Sequence, residues 1–94
     1  MNRAMVRATL GRHGVDPDAD VAALTAAIEA RGWVVRAEKG YVEGRGHHYR
    51  ALASQPASDI HPAFGITLQL SGEALARQAA LVRVLAKILA REER

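Results

Sequence analysis

The fold is decided by residues 33–53, which read WVVRAEKGYVEGRGHHYRALA. Apolar and charged side chains alternate over 33–38, and this period of two is typical of a strand with one buried face. The alternation returns over 47–53, after the glycine-punctuated segment 39–46, which favours a hairpin connection. We therefore predict two antiparallel strands joined by a glycine-rich loop.

Before these strands, the sequence predicts a helix from Asp16 to Arg31. Asp16 is a favourable N-cap, Pro17 suits the first helical position, and acidic residues in the first turn complement the helix dipole. Gly32 then provides a left-handed C-terminal stop. Residues 1–14 are basic and carry early stop signals, so we predict a semi-ordered basic arm there and a single domain over 15–94.

After the hairpin, residues 64–70 alternate again and predict a third strand. Ser71 is the predicted N-cap of a last helix that continues to about Arg91. Its apolar residues cover an arc of about 180°, which is wider than one sheet face requires. They are Leu75, Ala79, Leu81, Val82, Leu85, Ala86, Ile88 and Leu89. The excess indicates packing against the first helix or contact with a second copy in a homodimer.

The resulting order predicts an α+β domain, a two-layer α-β-β-β-α sandwich. Short connections favour pairing of neighbouring strands in a three-stranded antiparallel sheet, and the apolar faces place both helices on one side of it. The other face of the sheet is open to solvent and is a candidate binding surface. It is predicted to carry Val34, Arg36, Glu38, His48, Arg50, Leu52, Thr67 and Gln69.

Composition narrows the class of protein. A chain of 94 residues suits one domain with a modest core. It has no cysteine, which excludes disulfides, thiol catalysis and thiolate metal sites. No apolar run approaches the roughly 18 residues that span a membrane, and the first residues lack the apolar stretch of a signal peptide. We therefore expect a cytoplasmic protein that does not enter a membrane.

No motif predicts catalysis. His47 and His48 are adjacent on a strand, so their side chains point to opposite faces of the sheet. A metal or hydrolase site would need both to converge with His61 and a carboxylate. The glycines of 40–46 lie between two strands, and their spacing matches neither the P-loop nor the dinucleotide-binding motif. No serine lies in the GxSxG motif of hydrolases. We expect no enzyme activity, no cofactor and no metal site.

The predicted element order resembles that of the double-stranded-RNA-binding domain. In that family the first helix and the hairpin loop contact minor grooves, and a lysine cluster at the second helix grips phosphates. The matching stretch here, 71–77, contains Glu73 and only Arg77 as a base. The first helix begins with aspartates, which repel RNA. The chain therefore shares the topology without the motifs.

A second resemblance is to small α+β proteins of phages and other mobile elements. It rests on Ala30-Arg31-Gly32-Trp33 at the start of a strand and Glu73-Ala74-Leu75-Ala76 near the last helix. The resemblance implies a protein that binds and regulates or blocks a larger host complex, as anti-CRISPR proteins do. It identifies no functional residue.

We therefore predict a non-enzymatic interaction protein that masks a surface of a protein or nucleoprotein partner. Arginine and tyrosine suit that role because they combine contact area with directional hydrogen bonds. The alternative is a nucleic-acid-binding module that uses the same basic residues. The candidate contact residues are Arg3, Arg7, Arg12, Arg36, Tyr41, Arg45, His47, His48 and Arg50.

Overall fold

A computed structural model describes residues 1–42, 44, 46–55 and 68–93 of the chain. In chain order the elements are α1 (Arg3–Arg12), α2 (Val21–Glu29), β1 (Val34–Val42), β2 (Gly46–Gln55), β3 (Leu68–Ala74) and α3 (Arg77–Glu92). Within these residues, the three strands form one antiparallel sheet in the order β1-β2-β3. The predicted α+β class and three-stranded antiparallel sheet are confirmed, and a helix is added before the predicted order.

The sheet has one buried and one open face, as the alternation predicted. Ala51 and Ala53 on β2 are fully buried, whereas Val34, Arg36 and Arg50 are exposed. Both hairpin strands extend beyond their predicted ends, because the ladder continues to the pair Val42 and Gly46. Gly44 and Gly46 have φ of 82° and 77°, which a side chain disfavours, so glycine permits this turn.

Helix α3 lies at the centre of the domain. One side of it packs on the sheet, mainly on β2 and β3, and other parts of its surface contact α1 and α2. Its buried residues are Ala80, Leu81, Val82, Val84, Leu85, Ala86, Ile88 and Leu89. The wide apolar arc is thus covered within one chain by the helices before it. A homodimer through this helix stays a prediction.

The predicted start of the last helix is wrong. Ser71 does not cap it, because β3 continues to Ala74, which pairs with Tyr49 of β2. The helix begins at Arg77, with no side-chain hydrogen bond at its cap. Leu75, predicted on the apolar arc, lies between the two elements and is 77% exposed. The first four residues of the predicted strand, 64–67, lie outside the described residues.

The N-terminal residues differ from the semi-ordered arm predicted for 1–14. Most of them form α1, whose N-cap Asn2 accepts a hydrogen bond from the Met5 backbone at 2.8 Å. Val6 and Leu10 are spaced by four and therefore share one side of the helix, where both are buried against the core. Burial of these two residues, together with the Asn2 cap, stabilises the segment as a helix.

Helix α2 begins later than predicted. Asp20 is its N-cap, with Oδ1 accepting from the Ala23 backbone at 2.7 Å. Asp16 instead accepts from the Asp18 backbone at 2.8 Å, so it closes a turn before the helix. The helix ends at Glu29, two residues before the predicted Arg31, and Gly32 beyond it has the predicted left-handed conformation, with a φ of 86°.

Candidate functional site

The predicted contact residues that the structure describes lie in three separate places: on α1, near the tip of the β1-β2 hairpin and on the open face of the sheet. On α1, Arg12 ties the helix to the end of α3, because Nε and Nη2 each donate to a carboxylate oxygen of Glu93 at 3.1 Å. The Arg7 Nη2 lies 3.7 Å from the Asp18 Oδ2. Arg3 lines a groove of about 290 Å³ between α1 and α3. Because its hydrogen bonds to Glu93 join α1 to the end of α3, Arg12 has a structural role.

The pKa of Glu93 is below its ordinary value. The hydrogen bond from Arg12 is the largest cause, and the contact with His13, at 2.9 Å from Nε2 to Oε1, is the next. A carboxyl group with a lowered pKa in the folded state stabilises the fold above its ordinary pKa. That contribution is lost as the pH falls through the lower, folded value.

We therefore expect Glu93→Gln to lower the melting temperature at neutral pH, with a difference from the parent that shrinks below pH 4.5, the group's ordinary pKa. Thermal melts at pH 7 and pH 3 measure this. Glu29→Gln is the matched control, since no ion pair within the described residues involves Glu29. A Glu93→Gln difference of the same size at both pH values would contradict the role of this carboxylate.

The hairpin tip is described only in part. Tyr41 and His47 are opposite each other in the ladder, and their side chains, like the whole of Arg45, lie outside the described residues. Their predicted role in binding stays a prediction. His48 lies opposite Gly40, and its ring covers that glycine: a Cβ at position 40 would be 2.9 Å from the ring carbon Cε1.

The open face carries a row of alternating charge. Arg50, on the central strand, lies opposite Glu38 of β1 and Glu73 of β3, and its Nε is 3.3 Å from a Glu73 oxygen. On the same face, the Arg36 Nε is 3.1 Å from an oxygen of Glu38. The face therefore balances two arginines against two glutamates. Beside them, Val34 is 64% exposed.

Glu73 is a residue of this face that the sequence reasoning missed. It was assigned to the last helix because Ser71 resembled a cap. A signal was present, however, since the alternation of Leu70, Gly72 and Ala74 with Ser71 and Glu73 continues the period of two. The ladder with β2 shows that this continuation forms the strand.

In the described part of the chain, no group of three or more histidine or acidic side chains could hold a metal ion. His61 lies outside it. Over the same residues, no helix is long and apolar enough to cross a membrane.

Comparison with protein-family models, curated proteins and solved structures finds no match to this chain. The two strings that resemble small phage proteins take different positions in the fold. Trp33 directly precedes β1, as that resemblance implies. Glu73 and Ala74 end β3, and Leu75 and Ala76 precede α3.

Proposed function

We propose that this protein is a non-enzymatic binding module that masks a surface of a larger protein or nucleoprotein complex with the open face of its sheet. The observation that carries the proposal is the composition of that face: Glu38, Arg50 and Glu73 in one row, with Arg36 and the exposed Val34 beside it. Such a face offers charged groups of both signs and an apolar contact, which together suit a protein surface. The resemblance to small phage inhibitors supports the same class of function.

The distribution of charge favours a protein partner over nucleic acid. A phosphate-binding surface gathers unpaired cations, whereas the arginines of the open face each lie beside a glutamate. Elsewhere in the described chain, three further arginines form an ion pair with a carboxylate, namely Arg7, Arg12 and Arg31. The other four described arginines form none within that part of the chain.

Affinity capture from a bacterial lysate tests the class of partner. The tagged protein is incubated with lysate that has been treated with nuclease or left untreated, and bound protein and nucleic acid are both quantified. The captured complex is then washed at increasing salt. We expect a defined protein complex that survives nuclease and weakens less with salt than binding to phosphates does, because the open face carries charges of both signs.

A nucleic-acid-binding module would behave differently. Binding through four phosphate contacts would weaken about 50-fold between 0.1 and 0.3 M salt, because condensed counterions return to the nucleic acid. Loss of all bound material after nuclease treatment, together with such a salt dependence, would contradict the proposal and assign the basic residues to phosphate contacts.

A further inference from the structure

The two edges of the sheet differ in their protection. On β3, the Lys87 ammonium donates a hydrogen bond to the backbone carbonyl of Ser71, so a charged side chain covers that edge. On β1, no backbone hydrogen bond beyond the ladder with β2 is made within the described residues. Unprotected edge strands pair readily with another strand, and proteins usually block those that are not interfaces. Among the described residues, none hydrogen-bonds to the outer edge of β1, which is therefore available for pairing.

The charged row of the open face ends at this edge. From β3 to β1 it reads Glu73, Arg50 and Glu38, so that the sign alternates at each strand. The next strand in the row would favour a cation opposite Glu38, because opposite charges in direct cross-strand pairs are stabilising and like charges are destabilising. Arg36 of another copy of the same strand can supply that cation.

We propose that a second copy of this chain pairs with the β1 edge in an antiparallel arrangement whose two-fold axis passes through Ala37. In this register Arg36 lies opposite Glu38 of the second copy, and Glu38 lies opposite its Arg36. The alternating row of each copy then gains one residue, the Arg36 of the other copy, beside its Glu38. The sheet becomes six-stranded, with the helices of both copies on the same face.

Neighbouring registers lose this complementarity. An axis through residue 36 places the Arg36 residues of the two copies opposite each other, and an axis through residue 38 places the two Glu38 residues opposite each other. Each of these registers therefore brings like charges together. The register centred on Ala37 also places the exposed Val34 opposite Gly40 of the second copy. The His48 ring of that copy covers its Gly40, so Val34 lies beside an imidazole ring in this register.

Charge reversal tests the register directly, by sedimentation equilibrium over a concentration series. We expect the parent protein to dimerise. Arg36→Glu alone places two glutamates opposite each other, and Glu38→Arg alone places two arginines opposite each other. Each variant should dimerise about tenfold more weakly than the parent. An equimolar mixture of the two restores opposite charges at both positions and should associate as the parent does.

The mixture separates a register effect from a folding defect, since a variant that fails to fold cannot be rescued by the other. Arg3→Glu, which makes the same charge change on α1, should leave dimerisation unchanged. A parent protein that stays monomeric, or a mixture that associates no better than the single variants, would overturn the proposal. No outside partner takes part, so this result is independent of the proposed function.

Discussion

Gly72→Ala is expected to lower the free energy of unfolding by about 3 kcal/mol, because α3 approaches β3 too closely for a side chain. A Cβ at this position would lie 2.7 Å from the Ala80 carbonyl oxygen and 2.7 Å from the Val84 backbone nitrogen. These are backbone atoms of a central helix and cannot rotate away, so the helix or the strand has to shift. Urea denaturation followed by circular dichroism measures the change.

The same substitution at Gly11 is the matched control and should have the opposite sign. Gly11 lies in α1, and a Cβ there would meet nothing within 4 Å. Alanine is favoured over glycine in a helix, so Gly11→Ala should raise the free energy of unfolding by about 0.5–1 kcal/mol. Similar effects at the two glycines would contradict the close packing of α3 on β3.

Leu85→Ala is expected to cost about 3 kcal/mol of unfolding free energy, and Leu75→Ala less than about 0.5 kcal/mol. Leu85 is fully buried in the core, whereas Leu75 precedes the helix and is 77% exposed. Truncation of a buried leucine leaves a cavity among well-packed neighbours, but truncation of an exposed one leaves none. Denaturation of both variants in urea compares the two positions.

This comparison also separates the observed helix from the predicted one. A helix that began at Ser71 would place Leu75 on the buried arc, and Leu75→Ala would then cost several times more than 0.5 kcal/mol. A large effect at Leu75 would contradict the start of α3 at Arg77, and a small one at Leu85 would contradict its burial in the core.

The strand faces were predictable because the side-chain period of a strand is fixed by the backbone. Once residues 33–38 were assigned to a strand, Arg36 and Glu38 had to lie on one face of the sheet and Ala37 on the other. Five of the predicted contact residues are indeed on the hairpin strands: Arg36, Tyr41, His47, His48 and Arg50. Their neighbours on β3 depended on where that strand ended.

The helix boundaries were less predictable because they depend on contacts distant in sequence. Ser71 has the chemistry of a cap, yet pairing with β2 keeps it in a strand. Residues 3–12 contain glycine near their end, but burial of Val6 and Leu10 against α3 stabilises them as a helix. Similarly, nothing local indicates that Arg12 would bind Glu93, which is 81 residues away.

The measurement that tests the central claim most directly compares Arg50→Ala with Arg7→Ala in affinity capture of the protein partner. The two side chains are matched, since they are 48% and 46% exposed and each lies within 4 Å of one carboxylate. Arg50 is on the open face of the sheet and on its central strand, whereas Arg7 is on α1.

Both substitutions remove one positive charge, so only the place of that charge differs. We predict that Arg50→Ala weakens capture about tenfold and that Arg7→Ala leaves it at the parent level. Equal losses in both variants would indicate binding to overall positive charge, and a loss confined to Arg7→Ala would move the binding surface to α1. Either result would contradict binding through the open face of the sheet.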